Sequence, residues 1–142
     1  MRLVPILALA AAIALVLVGC SQAPAGTSAT GEASTGKATT VQTVSGAEAL
    51  EMMEQETDHL IVDVRTAEEY ASGHIPEAIN IPVETIGSEP IPELPDTDQT
   101  IFVYCRSGRR SAQAASTLVA QGYAHVIDMG GIIDWPGEVV TD

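Results

Sequence analysis

Residues 101–110 read IFVYCRSGRR and carry most of the information about this chain. The apolar run at residues 101–104 has no polar alternation, which is typical of a strand that is covered on both faces. Cys105 ends the run, and a basic loop with one glycine leads from it into a predicted helix at residues 107–121. A thiol between a strand end and a helix start meets backbone N–H groups, and these favour the thiolate.

The predicted helix at residues 107–121 has one apolar face and a clear end. Its apolar positions, at helical spacing, are Ala112, Ala115, Leu118 and Val119. Gly122 follows the last turn, as is typical of a helix C-terminal cap. We expect the helix to pack on a sheet through this face.

Predicted strands and helices alternate along the rest of the domain. Residues 60–64 (LIVDV) are a second, near-continuous apolar run and are expected to form another strand that is covered on both faces. Shorter strands are predicted at residues 41–44, 78–81 and 125–129, and helices at residues 47–53 and 66–71. This alternation predicts an α/β domain with a mostly parallel central sheet of about five strands, flanked by helices on both faces.

Two of the predicted strands end in chemically active side chains. Asp63 and Arg65 lie at the end of one buried strand, and Cys105 lies at the end of the other. In parallel sheets, ligands bind beyond the carboxyl ends of the strands. We therefore expect these three side chains to share one crevice.

The first forty residues differ in composition from the rest of the chain. Residues 3–18 are apolar and follow a single positive charge at Arg2, and Gly19 ends the run. These features predict a secretory signal peptide at residues 1–19. The alternative is an uncleaved membrane helix, but the run is shorter than the ~20 residues that a span prefers and has no flanking basic anchors.

Residues 17–20 (LVGC) resemble the lipobox of bacterial lipoproteins, in which cleavage leaves the cysteine as an acylated first residue. The resemblance assigns Cys20 as the lipidation site. Residues 20–40 are then the lipidated cysteine and a flexible linker rich in Ala, Gly, Ser and Thr, and residues 41–142 are one folded domain. We expect an exported protein that a lipid anchors to the outer face of the cell membrane, or on its periplasmic side.

Acidic residues outnumber basic ones by 19 to 6, for a net charge of −13. Such a surface repels nucleic acid and anionic lipid, so neither is an expected partner. Three of the six cations, Arg106, Arg109 and Arg110, lie within five residues of Cys105. This concentration of positive charge predicts a site for a small anion.

The chain has two cysteines. If Cys20 is acylated, Cys105 is the single thiol of the mature protein and no intramolecular disulfide can form. An unpaired thiol in an exported protein is either used or paired between chains, and the basic loop favours use. His74 has no second ligand at metal-binding spacing, so we expect no metal site and no cofactor. The simplest assembly is a monomer.

Four short sequence motifs follow one another along the domain. They are residues 62–65 (VDVR) with Glu69 and Tyr70, residues 73–80 (GHIPEAIN), residues 105–110 (CRSGRR), and residues 130–132 (GGI) with Trp135. Together, and in this order, they resemble the single-domain rhodanese family of sulfurtransferases. The resemblance covers nearly all of residues 41–142 and implies the rhodanese-like α/β fold.

The length of the loop separates this family from its relatives. Tyrosine phosphatases and the related arsenate reductases need the pattern Cys-x5-Arg, and Ser111 occupies that arginine position here. The pattern Cys-Arg-x-Gly-x-Arg resembles the thiosulfate-using rhodaneses, whereas the mercaptopyruvate-using branch carries Cys-Gly-x-Gly-x-Thr. A phosphatase or arsenate reductase is therefore the less favoured enzyme.

The resemblance implies a sulfurtransferase in which Cys105 is the nucleophile. Cys105 would attack the outer sulfur of thiosulfate, sulfite would leave, and the persulfide would pass its sulfur to cyanide or a thiol. The implied substrate-binding residues are Arg106, Ser107, Gly108, Arg109 and Arg110. Ser107 and Gly108 would act through backbone N–H groups, and Arg109 either contributes or faces solvent. An alternative role is that of a sulfane-sulfur carrier or sensor without fast turnover.

Other residues of the four segments are expected to be structural. The resemblance implies an ion pair between Asp63 and Arg65 near the site, with Glu69 as a further candidate partner of Arg65. Ser111 is expected only to begin the helix. Trp135 is expected to pack in the core beside the glycine pair, the alternative being a place near the rim of the pocket.

Overall fold

A computed structural model describes residues 40–141 of the protein, and these build a five-stranded parallel sheet. The strands, in chain order, are β1 (Thr40–Thr43), β2 (His59–Asp63), β3 (Ile79–Asn80), β4 (Thr100–Cys105) and β5 (His125–Gly131). Their order across the sheet is β1-β5-β4-β2-β3. The strand that ends at Cys105 is therefore central, and the predicted α/β domain with a parallel sheet is confirmed.

The N-terminal assignments fall almost entirely outside the described residues. The expected signal peptide at residues 1–19, the lipidation site at Cys20 and the linker up to residue 39 all precede residue 40. Thr40, which the composition assigns to the linker, pairs with His125 as the first residue of β1. Within residues 40–141, no helix has the length and apolar character that crossing a membrane requires.

Short helices connect the strands. They are α1 (Gly46–Gln55), α2 (Ala67–Ala71) and α3 (Arg109–Ala120), with 3₁₀ turns at Val83–Thr85 and Ile132–Asp134. Both α1 and α2 begin with a capping box, in which Ser45 and Glu48, or Thr66 and Glu69, exchange hydrogen bonds between side chain and backbone. These bonds satisfy N–H groups that the start of a helix leaves without partners.

The side chains of β4 alternate between two apolar cores, one on each face of the sheet. Val103 and Cys105 face the core that includes Leu118 of α3. Tyr104 faces the opposite core, together with Ala49 of α1. Helices therefore cover both faces of the sheet, as predicted, and β4 is buried on both sides.

The buried face of α3 differs from the predicted one. Ala115 and Leu118 are buried as expected, but Ala112 is exposed, and Ser111 and Ala114 are buried instead. Alanine is small enough to lie on either the buried or the exposed side of a helix. The positions of the alanines therefore do not determine which side of α3 faces the sheet. The result places the hydroxyl group of Ser111 beneath the loop that follows β4.

Candidate active site at Cys105

Cys105 lies at the junction of β4 and α3, and the loop of residues 106–108 folds back over it. The residue is 1% exposed. Gly108 has a left-handed backbone conformation with a φ of 98°, which a residue without a Cβ atom adopts readily. From this conformation the chain enters α3, and the N–H of Gly108 donates to the sulfur, with the nitrogen 3.1 Å from Sγ of Cys105. The loop therefore donates a backbone hydrogen bond to the thiol that it covers.

Two opposing effects act on the pKa of the Cys105 thiol. Burial raises the pKa, because a less polar surrounding disfavours the charged form. The backbone N–H groups of Ser111, Ser107 and Gly108, with the hydroxyl of Ser111, lower it by more, so the pKa lies below its ordinary value. The start of α3 acts in the same direction through the partial positive charge of its free N–H groups. The site thus favours the thiolate.

Ser111 is a site residue that the sequence pattern did not reveal. It is fully buried, and its Oγ lies 3.8 Å from Sγ of Cys105. The hydroxyl also reaches the carbonyl oxygens of Gly108 and Gly130, at 2.9 and 3.2 Å. The expectation that Ser111 only begins the helix is therefore wrong. The sequence feature that could have predicted its burial is its spacing, because Ser111 precedes Leu118 by seven residues and therefore lies on the same face of α3.

Gly131, the second residue of the glycine pair at the end of β5, leaves space for the backbone of the loop that follows Cys105. Gly131 is the sheet partner of Cys105. A Cβ atom on Gly131 would lie 2.5 Å from the carbonyl oxygen of Arg106 and 2.7 Å from Cα of Ser107, both too short to be tolerated. Glycine in a strand often marks such a close approach of two backbone segments. The backbone N–H of Ile133 also donates to the Arg106 carbonyl, at 3.4 Å, so this segment supports the loop directly.

The thiol and the loop open on a pocket of about 380 Å³. Its lining residues are Glu84, Cys105, Arg106, Ser107, Arg109 and Arg110. Arg106 and Arg109 are exposed, and Arg110 is partly buried. Within residues 40–141 the remaining basic side chain is that of Arg65, which is buried. The exposed positive charge of this part of the chain is therefore concentrated at the pocket.

Arg110 forms a two-pronged ion pair with Glu69 of α2. The two N–O distances are 2.7 and 2.8 Å. The hydrogen bond from Arg110 is the main reason that the pKa of Glu69 falls to about 2. Glu69, a candidate partner of Arg65, forms its ion pair with Arg110 instead, while the charge of Arg65 also contributes to lowering the pKa of Glu69.

Asp63 and Arg65 form a buried ion pair on the face of the sheet opposite to the thiol. Nη2 of Arg65 lies 2.5 Å from Oδ2 of Asp63 and 2.6 Å from the carbonyl oxygen of Gly73. The guanidinium carbon is 5.6 Å from the ring centre of Tyr104. Because Tyr104 and Cys105 point to opposite faces of β4, the expectation of one shared crevice is wrong. The pair instead ties the end of β2 to the segment before β3.

Comparison with known proteins identifies the family. A sequence profile of the Rhodanese-like domain matches residues 45–138. The chain belongs to this family. The resemblance that four short segments indicate is therefore confirmed, and so is the rhodanese-like fold that it implies.

Several relatives of this rhodanese-like domain have been named or solved. A sulfurtransferase of Allochromatium vinosum is 46% identical over 79 residues, which are 55% of this chain and 72% of that protein. The thiosulfate sulfurtransferase PspE of Escherichia coli is 41% identical over 73 residues, covering 51% of this chain and 70% of that protein. A structure described as a rhodanese with anions from E. coli is 39% identical, with a TM-score of 0.55, and covers 59% of this chain and 99% of that one. These similarities support sulfur transfer as the general chemistry of the domain.

Proposed function

We propose that this rhodanese-like protein transfers the outer sulfur of thiosulfate, through a persulfide on Cys105, to cyanide or to a thiol. The observation that carries the proposal is the placement of the Cys105 sulfur, which lies 3.1 Å from the N–H of Gly108 and lines a pocket with three arginines. A thiolate is the nucleophile that this transfer requires, and guanidinium groups suit an anionic donor. The E. coli relative named for thiosulfate supports this choice of donor.

The transfer consists of two displacements on sulfur. In the first, the Cys105 thiolate attacks the outer sulfur of thiosulfate and forms a sulfur–sulfur bond to it. The sulfur–sulfur bond within thiosulfate breaks, and its electron pair leaves with sulfite, so that Cys105 carries a persulfide anion. In the second, cyanide or a thiolate attacks the terminal sulfur, and the Cys105 thiolate leaves. No proton moves in either step when the nucleophiles are ionised, so no general base is needed.

The loop contributes to both displacements through its backbone N–H groups and its arginine side chains. Its backbone N–H groups, with that of Gly108 at 3.1 Å from Sγ, stabilise negative charge on the cysteine sulfur. The side chains of Arg106, Arg109 and Arg110 attract the anionic donor against the negative charge of the rest of the protein. Sulfite, which is also an anion, departs from the same place.

The proposal includes an extracytoplasmic location, with the protein held at the membrane by a lipid on Cys20. It rests on the lipobox pattern of residues 17–20. Labelling of cells with a radioactive fatty acid tests this assignment, because the wild-type protein should take up the label and the Cys20→Ala variant should not. Equal labelling of the two proteins would contradict it.

The intact mass of the purified full-length protein tests the sulfur-transfer proposal. Thiosulfate should add one sulfur atom, about 32 Da, and cyanide should remove it with release of thiocyanate. The matched control is Cys105→Ser, which should gain no mass. A wild-type protein that gains no mass while its thiol still reacts with iodoacetamide would contradict thiosulfate as the donor. A persulfide that forms but is not discharged by cyanide would favour the carrier role instead.

A further inference from the structure

The ion pair between Glu69 and Arg110 links α2 to the start of α3 beside the pocket. Nη1 of Arg110 lies 2.7 Å from Oε2 of Glu69, and Nη2 lies 2.8 Å from Oε1. Two parallel bonds of this kind give a carboxylate–guanidinium pair both strength and a defined orientation. The side chains remain partly exposed, at 31% for Glu69 and 21% for Arg110.

Glu69 is held in place from a second side. Its Oε2 accepts the backbone N–H of Thr66 at 3.1 Å, and its own N–H donates to Oγ1 of Thr66 at 3.3 Å. This exchange is the capping box of α2. Because the pKa of Glu69 is about 2, its carboxylate is charged throughout the neutral pH range. A fixed negative charge therefore lies directly against Arg110.

Arg110 keeps donors for a ligand. A guanidinium carries five N–H donors, and Glu69 accepts two of those of Arg110. Within residues 40–141 no other side chain or carbonyl accepts from Arg110. Arg110 also lines the pocket with Cys105, and the negative charge of the cysteine is one of the influences that raise the pKa of Arg110, after its hydrogen bond with Glu69. The guanidinium thus faces Glu69 and the pocket together.

Glu69 changes the charge balance of the pocket without lining it. Arg106 and Arg109 have no ion-pair partner among the described residues, so Arg110 is the loop cation that an ion pair holds there. The pocket lining includes Arg110 and Glu84 but not Glu69; the Glu84 carboxylate also raises the pKa of Arg110, without an ion pair among the described residues. Glu69 therefore acts on an anion in the pocket through Arg110 and through its own field, which lowers the attraction for negative charge.

We propose that Glu69 is a positioning residue that fixes Arg110 at the pocket and offsets its charge, so that it sets how tightly the Cys105 site binds anions. For thiosulfate as the anion, this rests on the proposed function. Substitution separates the two effects. Glu69→Gln removes the charge but keeps an oxygen that can accept from Arg110 or from Thr66, whereas Glu69→Ala removes both the charge and the acceptor.

Alkylation of Cys105 with two reagents tests the charge effect. Iodoacetate is an anion and iodoacetamide is neutral, so the ratio of their rates reports the local charge and does not depend on sulfur transfer. Glu69→Gln should raise the iodoacetate/iodoacetamide ratio about two- to fivefold. The matched control is Glu68→Gln, which removes the same charge from an adjacent exposed position on α2 and should change the ratio by less. An unchanged ratio in Glu69→Gln, or an equal rise in Glu68→Gln, would overturn the proposal.

Steady-state kinetics of the full-length protein with thiosulfate test the positioning effect. Glu69→Gln should lower the KM for thiosulfate about two- to fivefold, with kcat nearly unchanged. Glu69→Ala should have a higher KM than Glu69→Gln, because nothing orients Arg110. Equal KM values in two variants that urea denaturation shows to be folded would overturn the positioning role. If no form of the protein uses thiosulfate, the proposed function fails, while the alkylation ratio still tests Glu69.

Discussion

The backbone nitrogen of Gly108 lies 3.1 Å from the sulfur of Cys105, three positions earlier in the chain. The loop of residues 106–108 brings the two atoms together at the end of β4, and the chain then enters α3 through Gly108, whose φ is 98°. Burial alone would raise the pKa of the thiol, and the N–H groups around it more than offset that effect. The geometry of a short loop thus favours the thiolate form of Cys105, which is the reactive form of a cysteine.

Cys105 should react as a thiolate at lower pH than an ordinary cysteine does. The rate of alkylation by iodoacetamide follows the thiolate fraction, so its midpoint in pH measures the pKa. The midpoint should be lower in the folded protein than in the same protein unfolded in urea, because the bonds from the loop exist only in the folded state. A folded-state midpoint at or above the unfolded one would show that the loop N–H groups do not stabilise the thiolate.

The lowered pKa of Cys105 should also make the stability depend on pH. Between the folded and the unfolded pKa of Cys105, the folded protein holds fewer protons, so the free energy of unfolding rises with pH in this window. The contribution is fully present above the unfolded pKa and is lost as the pH falls through the folded pKa. Urea denaturation across the window should show this rise for the wild-type protein, and Cys105→Ser should lack it. Parallel curves for the two proteins would contradict the expectation.

Ser111→Ala should weaken both the thiolate and the fold. The substitution removes the hydroxyl that lies 3.8 Å from Sγ of Cys105 and binds the carbonyl of Gly108 at 2.9 Å. We expect a higher alkylation midpoint for Cys105 and a loss of about 1 kcal/mol in the free energy of unfolding. The control is Ser116→Ala, which deletes an exposed hydroxyl on the same helix and should cost less than about 0.5 kcal/mol. Equal effects of the two substitutions would remove Ser111 from the site.

Gly131→Ala should displace the loop over the thiol. The added methyl group would lie 2.5 Å from the carbonyl oxygen of Arg106, so the backbone has to move. We expect a loss of about 1–3 kcal/mol in stability and of about 10- to 100-fold in the rate of persulfide formation. The matched control is Gly87→Ala, where no atom lies within 4 Å of the new methyl group and both quantities should stay near wild type. A wild-type rate in Gly131→Ala would show that the loop tolerates the displacement.

Asp63→Asn should destabilise the fold without a direct effect on the thiol. The carboxylate is fully buried against Arg65 and lies on the other face of the sheet from Cys105. Removing one charge of a buried pair costs about 3–5 kcal/mol, which urea denaturation would measure. Asp134→Asn, at an exposed position, should cost less than about 0.5 kcal/mol. The folded fraction of Asp63→Asn should still form the persulfide, and a folded but inactive variant would give Asp63 a role in the chemistry.

Most of the fold could be predicted because its signals are local. The near-continuous apolar run at residues 60–64 and the apolar run at residues 101–104 indicate strands buried on both faces, and both are strands of the sheet. Ser45 indicates the start of α1, because its side chain caps the helix. Gly122, with a φ of 99°, directly follows the end of α3, as is typical of a glycine that terminates a helix. Each of these signals acts within a few residues of the chain, where side-chain type directly limits the backbone.

The face of α3 was harder to predict because its sequence is ambiguous. An apolar stripe through Ala112 and a stripe through Ala114 both include Ala115 and Leu118. In the folded domain the second stripe packs on the sheet, and this places Ser111 against Cys105. Packing against another element, rather than helix periodicity, therefore put the hydroxyl at the site.

The order of strand, loop and helix around Cys105 follows from the sequence, and so do the candidate nucleophile and the cations beside it. These features depend on backbone preference, apolar burial and charge, which are set by residues that lie close together in the sequence. The partner of Arg110 is different, because Glu69 lies 41 positions earlier and meets it only when α2 and α3 are placed on the folded sheet. The closeness of Gly131 to the loop arises in the same way, from the pairing of β5 with β4. Contacts between distant segments depend on the packing of the whole domain, so the tertiary structure was needed to see how charge and space are arranged around the thiol.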